Sequence, residues 1–160
     1  MNAIVVVDAN WAIGKDGDQL VYLKEDLKRF RALTTGKGVI LGRKTLATFP
    51  GGKPLKNRRN LILSRSMDAA PEGAEVYPSV EALLPNVGED DFVIGGASVY
   101  EQLLPWCSTV YVTKVEQSFP ADCWFPNLDA DPQWQAEEPS QPLEQDGIVY
   151  RYVTYRRREG

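Results

Sequence analysis

The feature that most restricts this chain is a set of four short apolar runs: "AIVVV" (3–7), "GVILG" (38–42), "NLILS" (60–64) and "DFVIGG" (91–96). Each is nearly continuous in apolar residues, the pattern of a strand buried on both faces. A polar or glycine-rich turn follows each run, and helix candidates at 24–35, about 43–48, 79–84 and 97–104 alternate with them. Such alternation predicts a largely parallel sheet covered on both faces. Two later segments behave differently. "STVYVTKVEQ" (108–117) and "GIVYRYVTYRR" (147–157) alternate with period two and have no helix between them. They predict an antiparallel pair added at the sheet edge. The Pro-, Asp- and Trp-rich stretch between them is expected to be a wrapped loop with one short strand. The expectation is a single α/β domain over 1–160, with ligands gathering at the carboxyl ends of the parallel strands.

Composition narrows the chemistry. The chain contains no histidine, which excludes Ser-His-Asp and Cys-His nucleophile systems and a His-ligated zinc. Cys107 and Cys123 have no CxxC spacing and cannot build a disulfide framework, so reduced thiols and a cytoplasmic location are expected. A net charge of −4 argues against a general nucleic-acid binder. The opening "MNAIVVVDAN" has no basic stretch, and its apolar run stops at Asp8. That is too short for a signal peptide or a membrane span, so a first core strand is the better account.

Three strand-to-helix turns carry polar chemistry. In "FVIGGASVYEQLLP" (92–105) a buried strand enters Gly95-Gly96 and then a helix. Paired glycines let a ligand approach the backbone closely, as a diphosphate requires; a plain turn is the alternative. "VILGRKT" brings Arg43 and Lys44 to the end of one strand, and "LILSRS" brings Ser64 and Arg65 to another. Alone, each reads as a solvated strand end. On parallel neighbours they would form one cationic cup suited to a phosphorylated dinucleotide, NADP rather than NAD. "NWAIGKDGDQL" (10–20) is either a mobile flap or a passive connector, and Arg58 in "KPLKNRRN" either holds a carboxylate or is an ordinary surface base.

"LKEDLKRFRAL", beginning at Leu23, winds Leu23, Leu27, Phe30 and Leu33 along one side of a helix, with Lys24, Glu25, Lys28 and Arg31 opposite. Asp26 falls inside the apolar stripe. One explanation is a first-turn acid favoured by the helix dipole by ~0.3–1 kcal/mol. The other is a carboxylate aimed into a site, since burying it unpaired is costly.

Taken in order and spacing, "WAIGKDG", "LKEDLKRF", "GRKT", "PLKNRRN", "ILSRS", "VIGGASVYEQLLP", "VYVTKV" and "DCWFP" resemble the bacterial dihydrofolate reductases along nearly the whole chain. The resemblance implies that family's eight-stranded, mostly parallel sheet with an antiparallel edge and about four helices. It also implies an NADPH-dependent enzyme that transfers a hydride to dihydrofolate, binds antifolate inhibitors and acts as a cytoplasmic monomer with no nucleic-acid or membrane partner.

By position, Asp26 would be the catalytic acid and the only ionisable group in the pterin pocket, with Thr113 hydrogen-bonded to it. Ile4, Val5, Leu20, Val21, Leu27 and Phe30 would line the substrate pocket with Phe49, Ile94 and Tyr100. Leu55 would pack on the benzoyl ring and Arg58 would take the glutamate α-carboxylate. Arg43, Ser64 and Arg65 would read the 2′-phosphate of NADPH, with Lys44 and Thr45 at the phosphates. Gly95, Gly96, Ala97, Ser98 and Val99 would cradle the diphosphate around a cis Gly95–Gly96 peptide. Val6, Ile13, Gly14, Gly42 and Leu63, again with Ile94 and Tyr100, would complete the cofactor contacts. Segment 13–20 would be a mobile loop, bonded by Asp122 when closed.

The chain departs from the family at one place above all: Leu20-Val21 replaces the usual Pro-Trp, with Tyr22 in place of a small polar residue. Ser98 also stands where some relatives carry a second phosphate-binding arginine. The altered loop is expected to weaken binding of diaminopyrimidine antifolates such as trimethoprim. Two rivals stay open on the sequence: a same-fold reductase of the riboflavin pathway, which Asp26 and Arg58 disfavour, and a folate- or nucleotide-binding module without turnover.

Overall fold

The computed structural model describes residues 1–158. Its first half runs β1 (Asn2–Val7), β2 (Ala12–Lys15), β3 (Asp18–Gln19), α1 (Lys24–Thr34), β4 (Gly38–Gly42), α2 (Arg43–Ala47), β5 (Arg59–Leu63) and β6 (Ala74–Tyr77). The second runs α3 (Val80–Leu83), β7 (Phe92–Gly95), α4 (Ala97–Leu103), β8 (Thr109–Val115), β9 (Cys123–Trp124), β10 (Trp134–Ala136), β11 (Leu143–Gln145) and β12 (Ile148–Arg157). The main sheet has the order β10-β12-β8-β1-β7-β4-β5-β6, with β11 pairing a different stretch of β12. Pairing is parallel from β8 across to β6. It turns antiparallel where β12 meets β8, β10 and β11. The mixed sheet with an antiparallel edge is thus the one expected from the two kinds of apolar pattern.

Strand alternation sorts the side chains into two faces. Ala3, Val5 and Val7 join Ile40, Leu61, Val93 and Val112 against Leu83 of α3 and Val99 and Leu103 of α4. Residues of the other parity, Val39, Leu41 and Ile62, meet Leu46 of α2, and Val6 lies beside Leu23, Val115 and Tyr150. The four apolar runs are therefore buried on both sides, which is why they lack alternation.

One expectation needs correction. The stretch between β8 and β12 holds three short strands, β9, β10 and β11, rather than one. Much of segment 10–20 is paired: β3 and β9 both pair with β2 in a separate small sheet. Asp8 anchors its start, its buried carboxylate accepting N–H bonds from Asn10, Ala12 and Phe119 at 2.8–2.9 Å. The sequence offered no reading of β6, and all four residues of this edge strand are only half-buried. Among the described residues no helix is long and apolar enough to cross a membrane, and both cysteines are free.

Candidate active site

The acid helix begins without a cap of its own, since Leu23 occupies the N-cap position. Gln145 from β11 supplies the missing partner. Its side-chain oxygen accepts from the Lys24 N–H at 2.7 Å, and its amide donates to the Tyr22 carbonyl at 3.2 Å. Leu23 itself is 1% exposed and plugged against Val115 and Tyr150, which fixes the rotation of the helix. Asp26, three residues on, is thereby turned toward β8, where the Thr113 hydroxyl donates to its Oδ1 at 2.5 Å. Burial raises the Asp26 pKa above the usual 3.8, while the Thr113 bond and the Arg29 charge pull it back.

The apolar stripe of α1 does not face a core. Thr34 is the only residue of the helix that is buried; Leu27 is 39% exposed, and Phe30 and Leu33 are half-buried. The helix shows its apolar side to an open face, and the one charged residue in the stripe is the one tied to the sheet.

The resemblance implies that Asp26 is the only ionisable group in the pocket, but a second one lies beside it. Arg29, one turn on, lays its guanidinium over the Tyr152 ring at 4.0 Å from the centroid, with the Tyr111 ring at 5.8 Å. Its Nη1 is buried with no hydrogen-bond partner among the described residues. The signal was in the sequence: residues three apart share a helix face, so a base at 29 had to point where Asp26 points.

The second half of the site lies at the carboxyl ends of β7, β4 and β5, which the sheet order makes neighbours. Gly95 has φ +135 and the Gly95–Gly96 peptide is cis. A Cβ on either glycine would sit 3.4 Å from the Thr45 hydroxyl, and one on Gly42 would sit 3.1 Å from the Val99 side chain. The "GRKT" and "IGGASV" turns therefore lie in contact; a side chain at Gly42 would crowd Val99, and the positive φ of Gly95 is what favours glycine there. Arg43, Lys44 and Arg65 are exposed around this turn, and none takes part in an ion pair among the described residues. Ser64 is half-buried beside them, within reach of Ser66, and the exposed Ser98 is engaged by the Gln102 amide. Backbone closeness and unpaired cations are the features a phosphorylated dinucleotide needs.

Between the two halves lie Ile4 and Val6 on β1, on the face of Asp26. The Ile4 carbonyl accepts the buried Tyr100 hydroxyl at 2.6 Å. Ile94, Phe49 and Leu55 are partly buried together over Leu41, Leu46 and Ile62. Val5 and Leu63 belong to the cluster on the opposite side of the sheet. Alternation leaves only their backbones to contribute here, a correction to side-chain contacts. Arg58 donates to Thr34 Oγ1 at 2.9 Å and to the Lys56 carbonyl at 2.8 Å. Burial and the neighbouring Arg31 both lower its pKa.

On the loop side, Leu20 and Val21 are half-buried, with Val21 against the Leu23 cluster. The exposed Tyr22 donates its hydroxyl to Asp18. Ile13 packs on the main core, and Gly14 is wedged so closely that a Cβ would meet Asp18 O and Cys123 Sγ at 2.9 Å. Asp122 holds the loop as expected, accepting from the Asp16 N–H at 2.9 Å. A separate crevice of about 1120 Å³ beside Trp11, Lys114 and Asp129 contains neither Asp26 nor the glycine turn, and its Lys114 and Asp129 are bonded to each other at 2.6 Å.

Residues 1–157 match the family model for dihydrofolate reductase. The chain belongs to the dihydrofolate reductase family. Curated relatives agree. The dihydrofolate reductase of Bacillus subtilis is 35% identical over 93% of this chain and 88% of its own length. That of Neisseria meningitidis serogroup A is 36% identical over 92% of each. Among solved structures, dihydrofolate reductase from Enterococcus faecalis, complexed with NADP(H) and RAB-propyl, superposes with a TM-score of 0.85. It is 31% identical and covers 99% of this chain and 96% of its own. Membership sets aside both rivals left open by the sequence, the riboflavin-pathway reductase and the binding module.

Proposed function

We propose that the chain reduces 7,8-dihydrofolate to 5,6,7,8-tetrahydrofolate with NADPH as reductant, and that Asp26 governs protonation of the pterin imine nitrogen. One observation carries the reading. One sheet carries both a partly buried carboxylate of raised pKa, held by Thr113, and a glycine turn at the carboxyl end of β7 whose neighbouring strand ends bear Arg43, Lys44 and Arg65, exposed and outside every ion pair among the described residues. When bound, NADPH supplies the hydride.

The residues of the chain do the rest. Gly95 and Gly96 admit the diphosphate, Thr45 and Lys44 flank it, and Arg43, Ser64 and Arg65 hold the 2′-phosphate. Ile4, Phe30, Phe49, Leu55 and Ile94 wall the pterin and benzoyl rings. Arg58, braced by Thr34 and Lys56, meets the glutamate carboxylate. Asp26 accepts hydrogen bonds from the ring amine and amide nitrogen, and its proton affinity favours delivery of a proton to the imine nitrogen. Proton transfer from a positioned group of this kind contributes roughly 10²–10⁴-fold.

The test is to follow NADPH absorbance on adding dihydrofolate. Turnover by the wild type supports the enzyme reading and its absence ends it; retention of full rate by Asp26→Asn near neutral pH ends the proton-delivery role. The loop departure carries a finer proposal, that Leu20-Val21 weakens trimethoprim-type inhibition. In the double variant Leu20→Pro, Val21→Trp, trimethoprim inhibition is expected to tighten; unchanged inhibition counts against it.

A further inference from the structure

Arg29 is a half-buried cation of the site with one nitrogen fully buried. Among the described residues that Nη1 has no hydrogen-bond partner, and no ion pair includes Arg29. Ring faces at 4.0 and 5.8 Å give partial compensation, but a buried charge without a counter-charge is costly. The geometry supplies one. Thr113, which bonds Asp26, is the cross-strand partner of Tyr152, which carries the Arg29 guanidinium. Asp26 and Arg29 are also three residues apart on the same helix face. Both chains of contact bring the two charges to one place.

We propose that Arg29 is a positioning residue for proton transfer: it is the internal counter-charge of Asp26, and it sets the pH at which that carboxylate takes up and releases its proton. The inference rests on the reading of Asp26 as the proton-handling group. The other ionisable groups acting there are phenols, Tyr111 on β8, Tyr150 and Tyr152 on β12 and Tyr100 on α4, together with Glu25 on α1. Burial raises the pKa of Tyr100 and Tyr150, and pushes that of Tyr152 up to about 12, so these three stay neutral in the working range. Glu25 is exposed and paired with Lys28 at 3.2 Å. Arg29 is left as the cation that opposes the effect of burial on Asp26.

The experiment is a carbon NMR titration of the full chain with carboxyl-labelled aspartate, the Asp26 signal being assigned by its loss in Asp26→Asn. Arg29→Met and Arg29→Gln both remove the charge, the second keeping polar donors; Arg29→Lys keeps the charge on a different shape. An opposite charge within about 4–6 Å lowers a carboxyl by roughly one to three units, and Asp26 and Arg29 form no direct ion pair, so the low end applies. The midpoint is therefore expected to rise by about one unit in Met and Gln and to stay near wild type in Lys. The pH at which hydride transfer falls off should rise with it.

An unmoved midpoint in the uncharged variants overturns the proposal, as does an equal rise in Lys. Circular dichroism reports folding of each variant, and if Met does not fold, Gln against Lys decides. Because the NMR titration needs no turnover, it stays distinct from the activity of Asp26→Asn, whose full retention would end the proton-delivery reading instead.

Discussion

The two halves of the site are built from different materials. The glycine turn is made of backbone: three parallel strands end side by side, Gly42 leaves room for Val99, and Gly95 takes a positive φ. The acid half is made of side chains drawn from distant segments, with Asp26 and Arg29 on α1, Thr113 on β8, Tyr152 on β12 and Gln145 on β11. A backbone cradle tolerates few changes of shape but many of charge. A side-chain cluster behaves the other way round, because removing one group leaves its partner unpaired.

That contrast can be broken by experiment. The largest effect is expected at the acid. Asp26→Asn should lower hydride transfer at pH 7 or above by roughly 10²–10⁴-fold while leaving NADPH affinity, measured by fluorescence titration, unchanged. Weaker NADPH binding in that variant would show that the halves are not separate.

Next comes the cradle. Gly95→Ala puts a side chain at φ +135, 3.4 Å from the Thr45 hydroxyl. It should cost about 1–3 kcal/mol of stability and weaken NADPH binding, with the pH dependence of hydride transfer left in place. A variant as stable as wild type in urea would remove the claim that glycine is required there.

The smallest effect sharpens the comparison through stability. Burial raises the folded-state pKa of Asp26 above 3.8, so its ionisation opposes folding. The contribution is fully favourable below that value and is lost as pH rises through the folded pKa. Asp26→Asn should therefore melt higher than wild type at pH 8, and the difference should shrink as pH approaches 4. An equal melting temperature at pH 8 would mean that Thr113 and Arg29 fully offset the burial.

Legibility followed the same division. The parallel strands and the glycine turn could be read directly, because burial on both faces leaves unbroken apolar runs and a close turn needs glycine. β6 could not, since an edge strand needs no apolar run, and neither could β9, which exists only because β2 is there to pair with it. Asp26 was legible as an anomaly in its helix. Arg29 was equally visible by spacing, yet nothing local marks a base as buried.

By itself, then, the sequence determined the four doubly buried parallel strands, the place where they end and the presence of one acid in an apolar stripe. All of these depend on residues near one another in the chain. Only the tertiary structure decided what that acid meets. The start of α1 has no cap of its own and borrows Gln145 from over a hundred residues away. The proton affinity of Asp26 depends on Thr113 and Arg29 being folded against it. Burial and charge act through space, and their outcome exists only once β8, β12 and α1 have come together.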